Sequence, residues 1–71
     1  MEGKMFVEKG QDGFIYIVFA VKQKNDVNEL TLDMVGVGLE PLYEPRNMPG
    51  RYESCVICNE KIGIKIFACQ K

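Results

Sequence analysis

The side chains of this chain that could do chemistry are few, and most lie in its second half. Cys55 and Cys58 stand three positions apart, Cys69 follows, Ser54 is the only serine, and histidine is absent. Without histidine no side chain has an unperturbed pKa near neutrality, and neither a Ser–His nor a Cys–His nucleophile can be assembled. A phosphate-cradling loop would need a Gly-Lys-Ser/Thr ending, which the sequence lacks. Gly36-Val37-Gly38 has the first two positions of a dinucleotide-binding fingerprint, but the third falls on Pro41. Glu40 and Glu44 form a carboxylate pair without the apolar enclosure that would raise one pKa for acid–base work. These residues predict a protein that binds and does not catalyse.

The run Cys55-Val56-Ile57-Cys58-Asn59 resembles the knuckle of zinc-ribbon domains over a short stretch. The resemblance implies Cys55 and Cys58 as zinc ligands. Zinc takes four ligands in a tetrahedron, and three cysteines without histidine leave the fourth to a carboxylate or to another chain. If a turn near Glu60 joins two strands, Cys69 falls opposite Arg51 or Tyr52, roughly 10–13 Å along the sheet from Cys55. Three thiols so spread cannot converge on bonds of about 2.3 Å. Small apolar core residues are the competing role for these thiols. Lys61 is the nearest cation to Cys58 in sequence and neither thiol has an adjacent basic residue, so nothing lowers a thiol pKa. No metal and no cofactor is expected, with a zinc-knuckle module on Cys55 and Cys58 as an alternative.

The only two arginines, Arg46 and Arg51, lie close together among Tyr43, Asn47, Met48 and Tyr52. A guanidinium offers a planar fork to carboxylate or phosphate and stacks on rings, and tyrosine gives contact area at low entropy cost. Tyr43, Arg46, Asn47, Arg51 and Tyr52 are therefore the candidate binding residues, for a partner protein or a small anionic, nucleotide-like ligand. Glu40, Glu44 and Glu53 are near enough to neutralise both arginines, and surface pairs of that kind contribute only about 0–1 kcal/mol.

The elements that must position these residues read mostly as strands. Residues 4–9 and 14–22 flank Gly10-Gln11-Asp12-Gly13, a turn signal, and predict a β-hairpin. Residues 29–37 are ambiguous. Asp26 with Glu29 suits a helix start, and Val27, Leu30, Met34 and Val35 share one helical face. Leu30, Leu32 and Met34 also alternate like a strand, and Gly36 and Gly38 weaken a helix interior by about 1 kcal/mol each. A strand pairing with the second strand is preferred. Pro41, Pro45 and Pro49 predict an extended loop over 40–50. Residues 51–58 and 62–69 predict two more strands about a turn at 59–61. The expected fold is mostly β, a five-stranded antiparallel small barrel or meander sheet; the alternative is α+β, a four-stranded sheet with one helix at about 26–36. The 71 residues make one domain.

The second strand sets a covering problem. Phe14, Tyr16, Val18 and Ala20 point one way, and Ile15, Ile17, Phe19 and Val21 the other, so both faces are apolar. The Pro-rich loop, a helix at 27–35 or a second copy of the chain could supply cover. Chains this short usually need a staple or a partner, so a homo-oligomer, first of all a dimer, is expected through Phe14, Ile15, Tyr16, Ile17, Val18 and Phe19.

Bulk properties remove other classes. Nine Lys+Arg against ten Asp+Glu give a net charge of -1, which lacks the cation surplus of a general nucleic-acid binder. The longest apolar run, Phe14 to Val21, is far short of the ~20 residues of a membrane helix. No secretory signal is legible after Met1, and an odd cysteine count does not suit a disulfide framework, so a reducing, cytoplasmic setting is expected. The function expected is a small, oligomeric, non-catalytic binding or inhibitor protein, sequestering a ligand or engaging a partner. Small proteins carried by phages and mobile elements are often of this kind. A structural or assembly subunit is the alternative.

Overall fold

A computed structural model describes residues 3–69. Five strands, β1 (Gly3–Lys9), β2 (Ile15–Val21), β3 (Glu40–Met48), β4 (Arg51–Asn59) and β5 (Ile62–Cys69), and one helix, α1 (Lys24–Gly36), follow in the order β1-β2-α1-β3-β4-β5. The strands form one sheet in the order β1-β2-β5-β4-β3. The β2–β5 pair is parallel and the other three are antiparallel. The fold is mostly β with one helix on an open sheet, and the sheet does not close into a barrel.

Both expected hairpins are present. β1 and β2 form the predicted hairpin, and its turn is fixed by Asp12, whose Oδ1 accepts the Phe14 N–H at 2.9 Å. β4 and β5 pair about an Asn59 turn, in which Oδ1 accepts the N–H groups of Lys61 and Ile62. Cys69 stands opposite Arg51, as the spacing from the turn requires.

The preferred strand at 29–37 is instead the helix α1, which begins five residues earlier. The strand-like alternation lost to the inward face Val27, Leu30, Thr31 and Met34, which packs over the sheet at helical spacing. The glycines do not weaken the helix interior, because they lie at its end. Gly36 is its last residue, and Gly38, at φ 105°, turns the chain so that Leu39 N–H reaches the Met34 carbonyl at 3.0 Å. Strand β5, and not the 29–37 segment, is the second neighbour of β2.

The expected loop over 40–50 is also corrected: Glu40–Met48 is the edge strand β3. An edge strand tolerates proline because one side of its backbone faces no neighbour. Register shifts between Pro41 and Tyr43 and between Tyr43 and Arg46 absorb the irregularity. Pro49-Gly50 makes the hairpin turn between Met48 and Arg51, with Gly50 at φ 79°. The sheet thus has five strands with the helix, where the α+β alternative had four.

α1 packs on β2, β3, β4 and β5. Val27 of the helix and Val21, Val56, Ile64, Ile66 and Ala68 of the sheet form the main core, with Ile17 and Phe19 against its side. On the opposite face Tyr16, Val18 and Cys55 are buried under Phe14, Tyr43 and Phe67. Gly63 makes room for this second layer, since a Cβ there would meet the Tyr16 ring at 2.8 Å. Cover for β2 therefore comes from within the chain: Tyr16 is 7% and Val18 2% exposed, and only Ile15 among the six named for an interface is exposed. The expectation that β2 needs a second copy loses this support.

Candidate partner-binding face

The face away from α1 carries the side chains with most potential for recognition. Its geometry follows from the ladder, because residues directly opposite share a face. One row runs Phe6, Val18, Lys65, Cys55, Tyr43 across β1, β2, β5, β4 and β3. The next runs Lys4, Ala20, Phe67, Glu53, Arg46.

On this face three cations lie over three rings. Arg46 Cζ is 4.7 Å from the Tyr43 ring centroid, Arg51 Cζ is 4.7 Å from that of Phe67, and Lys65 Nζ is 4.3 Å from that of Tyr16. Each cation is thereby held against the sheet, a contact of about 0.5–1 kcal/mol at exposed sites.

Glu53 organises the half nearer β3. It is 2% exposed and accepts a hydrogen bond from the Tyr43 hydroxyl on Oε2. Arg51 Nε stands 2.9 Å from Oε1, yet no donor is aligned on that oxygen. The pair is therefore a charge contact without a directed hydrogen bond. Burial, and then the bond to Glu53, push the Tyr43 phenol well above its ordinary range, so Tyr43 is a fixed donor. Burial raises the Cys55 thiol to about 11, although Lys65 pulls the other way.

The half nearer β1 is a chain of polar contacts. Tyr16 donates to Asp12 Oδ2 at 3.1 Å, and Lys65 Nζ bridges to Glu8 Oε1 at 2.9 Å. The Phe14 N–H holds the Asp12 carboxyl below its ordinary value, while desolvation raises the Tyr16 phenol.

The structure brings together Tyr43, Arg46 and Arg51 of the sequence-predicted site and separates the other two. Tyr52 lies on the helix side, where its hydroxyl donates to Asn28 Oδ1 at 2.8 Å and Lys24 Nζ sits 5.3 Å from its ring centroid. Asn47 is opposite Tyr52 and shares that side. Of the three acids expected to neutralise the arginines, Glu53 pairs with Arg51, and Arg46 has no ion pair among the described residues. Glu53, Phe67, Lys65 and Tyr16 were not singled out as a recognition set in the sequence. The available signal was the two-residue spacing Arg51, Glu53, Cys55 on a strand, which puts all three on one face.

The concavities lie away from Arg46 and Arg51. A groove of about 380 Å³ runs between α1 and β3, lined by Leu32, Val35, Pro41, Pro45 and Tyr52 among others. A second lies beside the β1–β2 turn at Asp12, Tyr16 and Lys65. Neither includes Arg46 or Arg51.

The cysteines do not converge. Cys55 is buried, while Cys58 and Cys69 are exposed, and all three are free thiols. No three His, Cys, Asp or Glu side chains among the described residues are placed to hold a metal ion. No helix among them is long and apolar enough to cross a membrane. No protein-family model, curated protein or solved structure matches the chain.

Proposed function

We propose that this protein is a non-catalytic interaction module that docks an acidic segment of another protein on the flank of its β3–β4 hairpin. The observation that carries this is Arg46: an exposed guanidinium stacked on Tyr43, whose hydroxyl is itself tied to the buried Glu53. A cation held in place before contact loses little entropy when a carboxylate arrives. Arg51 is half spent on Glu53 and Phe67 and serves mainly as support.

A protein is favoured over a small nucleotide-like ligand because Arg46 stands on an open strand flank. Small ligands prefer concave sites, and the two grooves described above do not reach it. An inhibitory role and a cytoplasmic setting are compatible extensions of this proposal.

The test is affinity capture from the source cell with the wild type, Arg46→Ala and Arg46→Glu, followed by titration of the captured protein. Binding that weakens with added salt, falls several-fold in Arg46→Ala and further in Arg46→Glu, with an unchanged circular dichroism spectrum, supports the assignment. Equal affinity for all three chains overturns it. Native mass spectrometry that finds a small anion and no protein partner would move the assignment to the nucleotide-like ligand.

A further inference from the structure

The two edges of the sheet are built differently. β3 is protected: it carries Pro41 and Pro45, and its register shifts twice. β1 has no proline, pairs with β2 without a register shift, and all seven of its residues are exposed. Its centre is apolar, with Met5 66%, Phe6 46% and Val7 70% exposed. Met5 and Val7 lie on the helix side of the sheet, opposite Phe19 and Ile17, but α1 packs on the other four strands and leaves both exposed. Such an edge is a template for another strand.

We infer that β1 pairs antiparallel with β1 of a second copy of this chain, about a two-fold axis through Phe6. The charges on the strand select this occupant and this register. A two-fold axis perpendicular to the sheet preserves faces, so residues of like parity oppose each other. With Phe6 opposite Phe6 of the second copy, all seven residues overlap. Lys4 then meets Glu8 of the second copy, Glu8 meets Lys4, and Met5 meets Val7 on the helix side. A shift by one permitted step in either direction sets Lys4 against Phe6, or Glu8 against Phe6, and shortens the overlap. Only the centred register matches every apolar residue with an apolar one and joins opposite charges twice. The two sheets become one of ten strands, and the unprotected edges vanish. This surface is separate from the β3–β4 hairpin, so it stands or falls independently of the partner proposed there.

The experiment is a charge-swap cycle read by sedimentation over a concentration series. Wild type is expected to be a dimer. In Lys4→Glu, two acidic pairs face each other; in Glu8→Lys, two basic pairs do. Each variant alone is expected to dissociate roughly tenfold more readily. An equimolar mixture restores both attractive pairs and is expected to form the heterodimer. Glu8 also bridges to Lys65, so the fold of Glu8→Lys is checked by its thermal transition. A second readout does not depend on charge. In a Cys58→Ser/Cys69→Ser background, Phe6→Cys should form an interchain disulfide on oxidation, while Val7→Cys, whose opposite number is Met5, should not. A wild type that sediments as one chain at every concentration overturns the proposal. So does a dimer that neither charge variant weakens, or one that crosslinks at position 7 and not 6. An extended peptide that binds β1 while the chain stays monomeric would give the edge to a different occupant.

Discussion

Thr31 Oγ1 on the helix and Ser54 Oγ on strand β4 lie 2.6 Å apart in the buried space between α1 and the sheet. Thr31 Oγ1 is also 2.6 Å from the Val27 carbonyl, which can only accept. The one proton of Thr31 therefore goes to Val27, and Ser54 must donate to Thr31. This contact joins residues 23 positions apart and pins the helix to the sheet.

That order of donors predicts unequal costs. Ser54→Ala leaves Thr31 still bonded to Val27 and should cost about 0.5–1.5 kcal/mol. Thr31→Val leaves the Ser54 hydroxyl buried with no acceptor and should cost about 1–3 kcal/mol. Urea unfolding of both variants checks this. Equal losses would mean that the proton runs the other way or that Ser54 finds another acceptor.

Glu53 predicts a second asymmetry. Tyr43→Phe removes one donor and leaves the Arg51 charge beside the carboxylate, a loss of about 1 kcal/mol. Arg51→Ala leaves a buried carboxylate without its counter-charge and should cost about 2 kcal/mol or more. Arg51 is itself 40% exposed, so the upper values known for fully buried pairs do not apply. A loss in Arg51→Ala no greater than that in Tyr43→Phe would show that water reaches Glu53.

The thiols should separate kinetically. Cys58 and Cys69 are exposed and should alkylate readily near neutral pH, whereas Cys55 should react only after unfolding. Because burial raises the folded-state pKa of Cys55 from 9.0 to about 11, its thiol form favours the fold. That contribution is complete below the free-thiol pKa and is lost as pH rises through about 11. Mass spectrometry of iodoacetamide-treated protein should show two labels in native conditions and three in denaturant. Rapid uptake of the third label by the native chain contradicts the burial of Cys55.

Asp12 acts at the acid end. Its folded-state pKa lies below the ordinary 3.8, mainly because the ionised form accepts the Phe14 N–H. Its contribution is therefore complete above the ordinary carboxylate range and disappears as pH falls through the lower folded value. Asp12→Asn should be less stable than wild type at neutral pH, and the gap should close on acidification. Urea midpoints measured from neutral pH to about pH 2 check this, and a gap independent of pH would remove Asp12 from the acid response.

The features legible from the residues alone are those whose causes are local. The β1–β2 hairpin follows from Gly10-Gln11-Asp12-Gly13 between apolar runs, the β4–β5 hairpin from Asn59, and the Cys69–Arg51 register from counting across that turn. The two apolar faces of β2 marked it as a strand covered on both sides, with Val21 under the helix and Val18 under the rings. Pro49-Gly50 is a local turn signal as well, set in a segment whose three prolines also suit an extended loop. The remaining features depend on long-range packing. Residues 27–35 satisfied both periods, and the outcome rested on whether the sheet offered a surface for Val27, Thr31 and Met34. Pro41 and Pro45 could enter a strand only because β3 is an edge, and edge position is set by strand order. Tyr52 parts from Arg51 by simple alternation along β4, which is local, but its separation from Arg46 depends on a register shifted twice along β3. The parallel β2–β5 contact, made across more than forty residues of chain, has no local signal, because it depends on everything between them folding back together.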